Sequence, residues 1–372
     1  MKKSLLLFLV GLISLSSYSQ HKFSLNLKSE VFLNKKITFV LYDKNRWTPI
    51  KIDSFLLNNG HHILNGEVRQ PTNLASLSLV HNGKRLSADF VLDSGINNVD
   101  AILLKSGHNL LGLQSTARGS FIFKNLDSVF MKVVSGWPGA IGADERIKTT
   151  PELYQQVRLA QLEQLSRFPN DFAALLYLYN ITHSDATINS AKKYLLSCSG
   201  FNAETQKTQL GMLIFSEQTR LIQNKEKATA GHLVPIFKVS NIDNKFFSNS
   251  SLQGQPYIIV FSATWCGPCQ KQLPRLKTIY NSYLGSGLKV VYFNDDDNVK
   301  RWKEHVKKNG LNWINVSEKL KPAISKVPKS FGVYAIPSCF VIDRNGVIIY
   351  NSDDSDEGLR DLEIFVKKAV SG

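Results

Sequence analysis

Residues 265–269 read Trp265-Cys266-Gly267-Pro268-Cys269, the most specific run in this 372-residue chain. Two thiols separated by two residues can close a disulfide and reopen it at little conformational cost. A loop that short removes little entropy from the unfolded chain, so the pair suits redox chemistry better than structural cross-linking. A zinc site built on C-x-x-C needs two further ligands at similar spacing, and the remaining cysteines, Cys198 and Cys339, are isolated in sequence. Both read as buried, inert thiols, Cys339 on an apolar run and Cys198 near a helix end. His61 and His62 fall on an expected strand and so face opposite ways. Asp295-Asp296-Asp297 and Asp353-Asp354 lack EF-hand spacing and read as turn or cap residues.

The elements around the cysteines tell where they stand. Tyr257-Ile258-Ile259-Val260-Phe261-Ser262-Ala263 is a buried-strand pattern, and Gln270 to Leu284 is an amphipathic helix. The pair therefore lies where a strand hands over to a helix N-terminus. Unpaired backbone N–H groups and the helix dipole favour a thiolate there. Further on, Ile336-Pro337 precedes the apolar strand Ser338 to Ile342, and Asp343-Arg344-Asn345-Gly346 gives a hairpin turn.

From about Val234 to the C-terminus these features resemble thioredoxin-fold domains of the TlpA/ResA type. Val234-Pro235-Ile236-Phe237 is similar to the family's first strand, and Pro274 to the kink proline of its active-site helix. The resemblance implies an α/β thioredoxin fold and a thiol–disulfide oxidoreductase. It implies that Cys266 attacks, that Cys269 resolves, and that the redox-active disulfide replaces any metal or organic cofactor. It implies that Pro337 is cis and, with Ile336, docks a substrate backbone, while Trp265 shields one side. Protein disulfides are the implied substrates and a membrane thiol the implied donor. Thioredoxin itself has a first-cysteine pKa of about 7 and a potential of about −270 mV. Gly267-Pro268 favours that reducing end. One departure stands out: the family's carboxylates, six residues before the first cysteine or three after the second, are here Val260 and Gln272. Ala263, three before Cys266, also argues against peroxidase chemistry.

The chain is long enough for two or three domains. Lys2, Lys3, the apolar run Leu5–Leu15 and small residues Ser17 and Ser19 read as a cleaved signal over 1–19, which places the protein in the periplasm or cell envelope. Loss of Lys2 and Lys3 lowers the formal net charge from +15 to +13. The basic residues are scattered, and an exported protein rarely meets nucleic acid, so they read as a solvated surface leaning towards acidic partners or membrane headgroups. No later run is long and apolar enough for a membrane span.

Residues 20–114 alternate apolar and polar, as in Phe23, Leu25, Leu27 and Ile37, Phe39, Leu41, with turns at Asn59-Gly60, Asn82-Gly83 and Ser94-Gly95. They predict an antiparallel β-sandwich. The stretch Ile52 to Val68 resembles a domain of unknown function that often precedes thioredoxin modules in Bacteroidetes envelope proteins. Residues 115–229 switch to helical period, with Thr150-Pro151 as a helix start. Leu159, Leu162 and Leu165 mark one helix face, Ala203–Ile222 reads as one long helix, and Lys225–His232 reads as a linker. The thioredoxin-like domain occupies 230–372. Two rival functions remain at this level: an oxidase or isomerase on the same fold, and an envelope binding protein in which the cysteines matter little.

Overall fold

A computed structural model describes residues 20–44, 49–106, 108–142, 147–354 and 359–372. The expected signal segment lies outside these residues, as do Asp356 and Gly358, expected at the start of the last helix. The chain divides into two compact units. One comprises residues up to Ile181 with Ser197–Met212, the other Thr182–Leu196 with Leu213–Gly372.

The first unit opens with eight strands: β1 (His21–Lys28), β2 (Lys36–Tyr42), β3 (Pro49–Leu56), β4 (His61–Val68), β5 (Thr72–His81), β6 (Lys84–Asp93), β7 (Gly95–Ser106) and β8 (His108–Ser115). They form two four-stranded sheets, ordered β4-β1-β7-β8 and β3-β2-β5-β6. Every pairing is antiparallel except β1 with β7, which run parallel. The period-two pattern puts Phe23, Leu25, Leu27, Ile37, Phe39, Leu41, Leu77 and Leu79 into one shared core. Asn82-Gly83 turns β5 into β6 with both residues at positive φ, as a tight hairpin requires.

Helices follow: α1 (Arg118–Gly136), α2 (Pro151–Leu165), α3 (Phe172–Thr182), α4 (Ile188–Ser199), α5 (Ala203–Gln206) and α6 (Gln209–Lys227). Thr150 caps α2 by accepting from Leu153 N, with Pro151 inside the first turn. The apolar face expected on α2 is displaced. Leu159 is 42% exposed, and the buried face is Leu153, Val157, Arg158, Gln161 and Leu165. Polar side chains satisfy one another there, Arg158 and Tyr177 both bonding Gln161 at 2.8 Å. The single helix expected over Ala203–Ile222 is two. Asn202 caps the short α5, and the Thr208 hydroxyl accepts from Gly211 N to restart α6.

The stretch 225–232 is not a free linker. It finishes α6, and Ala228 is fully buried in the core of the following domain. That domain contains β9 (Lys238–Asn241), β10 (Phe246–Ser248), β11 (Tyr257–Ser262), α7 (Gly267–Tyr283), β12 (Lys289–Asn294), α8 (Val299–Asn309), β13 (Ile314–Ser317), α9 (Val327–Ser330), β14 (Ser338–Ile342), β15 (Ile348–Asn351) and α10 (Leu362–Ser371). Its sheet runs β10-β9-β13-β12-β11-β14-β15. The parallel trio β11, β12 and β13 is flanked by antiparallel neighbours. Buried side chains alternate between two cores. Phe261, Phe293, Phe331 and Phe340 fill one, and Val260, Leu273, Tyr292 and Val341 fill the other. Strands buried on both faces have to read as continuous apolar runs, which is how Tyr257–Phe261 reads.

Candidate functional site

The central strand β11 is buried along its whole length and leads through Ala263 and Thr264 to Trp265 and Cys266. Cys266 is the N-cap of α7, and its Sγ accepts from the backbone N–H of Cys269 at 3.2 Å. Gly267 and Pro268 complete the first turn. Proline costs nothing there, because its missing N–H would have no helical partner. Cys266 and Cys269 form a disulfide, with S–S 2.03 Å and Cα–Cα 5.3 Å. Cys266 is 5% exposed and Cys269 2%, while Trp265 beside them is 54% exposed.

Ile336-Pro337 is a cis peptide bond. The Ile336 side chain packs on Ala263, Cys266 and Cys269, and its carbonyl oxygen lies 3.7 Å from Cys266 Sγ. Residues some seventy positions apart thus meet at one sulfur because β14 pairs with β11, Phe261 opposite Ser338. Pro274 lies inside α7, one turn beyond Cys269.

A clamp that sequence reasoning missed holds the loop before the cysteines. The Asp296 side chain is fully buried. It accepts from Thr264 N at 2.7 Å and from Thr264 Oγ1 at 3.1 Å, and Arg301 Nη2 donates to it at 3.1 Å. Asp295-Asp296-Asp297 read as a turn, and nothing in the sequence said that it faces the residue two before Cys266. Asp295 is buried too, and burial pushes its carboxyl above the ordinary range; Glu318 and Asp296 add to this, and a Ser325 hydrogen bond opposes it. Glu318 accepts from Ser325 Oγ, Lys326 N and Val327 N, so it caps α9.

Val260 is buried and pairs in register with Cys339 and Tyr292. Gln272 is half-buried on α7. The polar groups on Val260's face of the sheet include Ser262 and Tyr292, whose hydroxyls lie 2.6 Å apart. Burial pushes the Tyr292 phenol up to about 12, so this pair can orient or pass a proton but holds no negative charge near neutrality. Cys198 and Cys339 are buried thiols outside the disulfide. Burial pushes Cys198 up to about 11, which suppresses its thiolate. His62 stacks on Phe55 at 4.0 Å, away from the exposed His61.

The Thioredoxin-like family model matches residues 254–348, which hold both cysteines and the cis proline. The C-terminal domain is thus thioredoxin-like, and similar to thiol–disulfide oxidoreductases of the ResA type. The thiol-disulfide oxidoreductase ResA of Bacillus thuringiensis is 27% identical over 161 residues, 42% of this chain and 88% of that protein. The thiol:disulfide interchange protein DsbE of Tatumella citrea is 29% identical over 133 residues, 34% of this chain and 65% of that protein. Among solved structures, the thioredoxin domain of a thiol-disulfide oxidoreductase from Bacteroides vulgatus is 21% identical. It covers 37% of this chain and 98% of that one, with a TM-score of 0.34. The thioredoxin-like domain of this chain thus carries its cysteines at the helix N-terminus, Ile336 of its cis peptide bond against them, and Val260 and Gln272 where the resemblance implies a carboxylate.

Proposed function

We propose that this protein is an exported thiol–disulfide oxidoreductase that reduces protein disulfides through Cys266 and Cys269. One observation carries the reading: Cys266 Sγ caps α7, takes the Cys269 N–H at 3.2 Å and faces the Ile336 carbonyl. A backbone N–H and the helix dipole at that sulfur favour its thiolate. In the reduced protein the Cys266 thiolate attacks one sulfur of a substrate disulfide. That S–S bond breaks, a mixed disulfide forms, and the leaving sulfur takes a proton. Cys269 then loses its proton and attacks Cys266 Sγ. The second substrate thiol leaves, and two electrons have passed from the dithiol to the substrate.

The cis proline and Ile336 offer backbone for the substrate strand, and the exposed Trp265 ring covers one side. Gly267-Pro268 supports the reducing direction. The disulfide itself is the redox centre, and no metal or organic cofactor enters the cycle. Working as a reductant in an oxidising envelope requires a membrane thiol donor to restore the dithiol. The basic start, apolar run and small residues of 1–19 support export. Insulin reduction by dithiothreitol tests the activity: the mature chain should accelerate it, and Cys266→Ser should abolish the acceleration. Equal rates with wild type and Cys266→Ser would reject the reading.

A further inference from the structure

Helix α6 is outside the segment that matches the family, yet its second half, Leu213–Lys227, belongs to the same compact unit as the thioredoxin-like domain. Its seat there is specific. Gly332, at φ +65°, lies so close that a Cβ would stand 2.7–3.0 Å from the Cγ, Cα and N of Lys225. Asn224 Nδ2 donates to the Lys329 carbonyl at 2.8 Å. Just past the helix end, the Ala228 carbonyl accepts from Asn351 Nδ2 at 3.2 Å. The segment gripped in this way, from α9 through Gly332, is the run that delivers Ile336 and Pro337 to Cys266.

Tyr334 closes that run. It is 37% exposed and stands two residues before Ile336. Burial raises the pKa of its phenol, and Asn224, Arg220 and Glu217 are the neighbours that modulate it. The charges around it are not equivalent. Glu217 is half-buried with His183 Nε2 at 3.9 Å. Lys329 is half-buried among Glu217, Asp295 and Glu318, with Arg220 its cationic neighbour. Arg220 itself is exposed, so it is the cation that α6 turns to solvent next to Tyr334.

We propose that the Arg220–Asn224 face of α6, together with Tyr334, forms a second wall of the substrate groove and selects polypeptide disulfides that carry a carboxylate near the cystine. The inference rests on the dithiol reading above. An extended strand laid along Ile336 towards Tyr334 advances about 3.3 Å per residue. Its second or third residue from the attacked cysteine therefore meets Tyr334 and Arg220. A guanidinium beside an aromatic ring favours a carboxylate in that position over an ammonium.

The test uses the reduced mature chain and two peptides, each with its single cysteine in mixed disulfide with 5-thio-2-nitrobenzoate. One peptide carries Asp at the second and third positions from the cysteine, and the other carries Lys. Wild type should favour the Asp peptide by about fivefold in the second-order rate constant of single-turnover nitrothiobenzoate release, the scale of an exposed charge pair. The difference should shrink as salt rises. Arg220→Glu should reverse the preference, and Arg220→Gln should erase it. Lys36→Glu, on β2 of the other compact unit, makes the same change in net charge as Arg220→Glu and should keep the preference. Equal single-turnover rate constants for the two peptides with wild type would overturn the proposal, as would a preference that Arg220→Glu leaves intact. No release of nitrothiobenzoate from either peptide would instead strike the dithiol reading itself.

Discussion

A sulfur atom is a nucleophile to the extent that its thiolate is stable and exposed. Cys266 meets both conditions better than any other thiol in this chain. Its Sγ faces a backbone N–H, and it lies beside the exposed Trp265. Cys269 is more deeply buried, and Cys198 and Cys339 lie in apolar cores. Alkylation of the reduced protein at pH 7 should therefore label Cys266 at least about tenfold faster than Cys269. Cys198 and Cys339 should react only on unfolding, and mass spectrometry of time points checks the order. Because the thiolate reacts, the Cys266 rate should fall as pH drops through its pKa. The absent carboxylate gives a second prediction. Gln272→Glu should speed release of the mixed disulfide by supplying an acceptor for the Cys269 proton. Stopped-flow rates identical to wild type across roughly pH 6 to 9, the span around a free thiol's pKa, would mean that another group already carries it. The cysteines, Ile336 and Pro337 were readable because each is a rare residue type at a fixed spacing. Asp296 was not, since its role depends on which residue lies opposite once β11 and β12 are paired.

Secondary structure obeyed its local signals wherever one face was wet. The sandwich strands alternate because one face meets the core, and their register follows the tight turns. The helices follow their local signals less closely. On α2 a buried Arg158–Gln161–Tyr177 cluster takes the place an apolar stripe would occupy, so Leu159 is left outside. Counting leucines cannot reveal a polar network that closes through another helix. The α6 seat gives a direct prediction. Gly332→Ala should cost about 1–3 kcal/mol, because its Cβ meets backbone of Lys225 and its φ is left-handed; urea unfolding measures this. The loop after β12 gives another. Folding raises the Asp295 pKa, so its contribution to stability is present at acid pH and is lost as pH rises through the folded value. Asp295→Asn should remove that slope. It should be the more stable form near pH 7, with the gap closing towards pH 4, near the ordinary carboxylate range.

The two compact units differ in how much of their role the sequence discloses. The C-terminal unit has a motif, a family match and a site. The N-terminal unit has a clear β pattern and, among its described residues, no group of His, Cys, Asp and Glu that could hold a metal; burial patterns specify a sandwich without saying what it binds. The border between them also escaped the linear reading. Composition places a linker at 225–232, whereas the second half of α6 and Ala228 belong to the C-terminal unit, because a contact boundary depends on folding partners rather than on local polarity. Everything functional rests on Cys266 as the sulfur that joins the substrate. Reduced Cys269→Ser protein, incubated with insulin and analysed by non-reducing peptide mapping, measures this directly. The account predicts a stable mixed disulfide between Cys266 and an insulin chain. No adduct, or an adduct through Cys198 or Cys339, would contradict it.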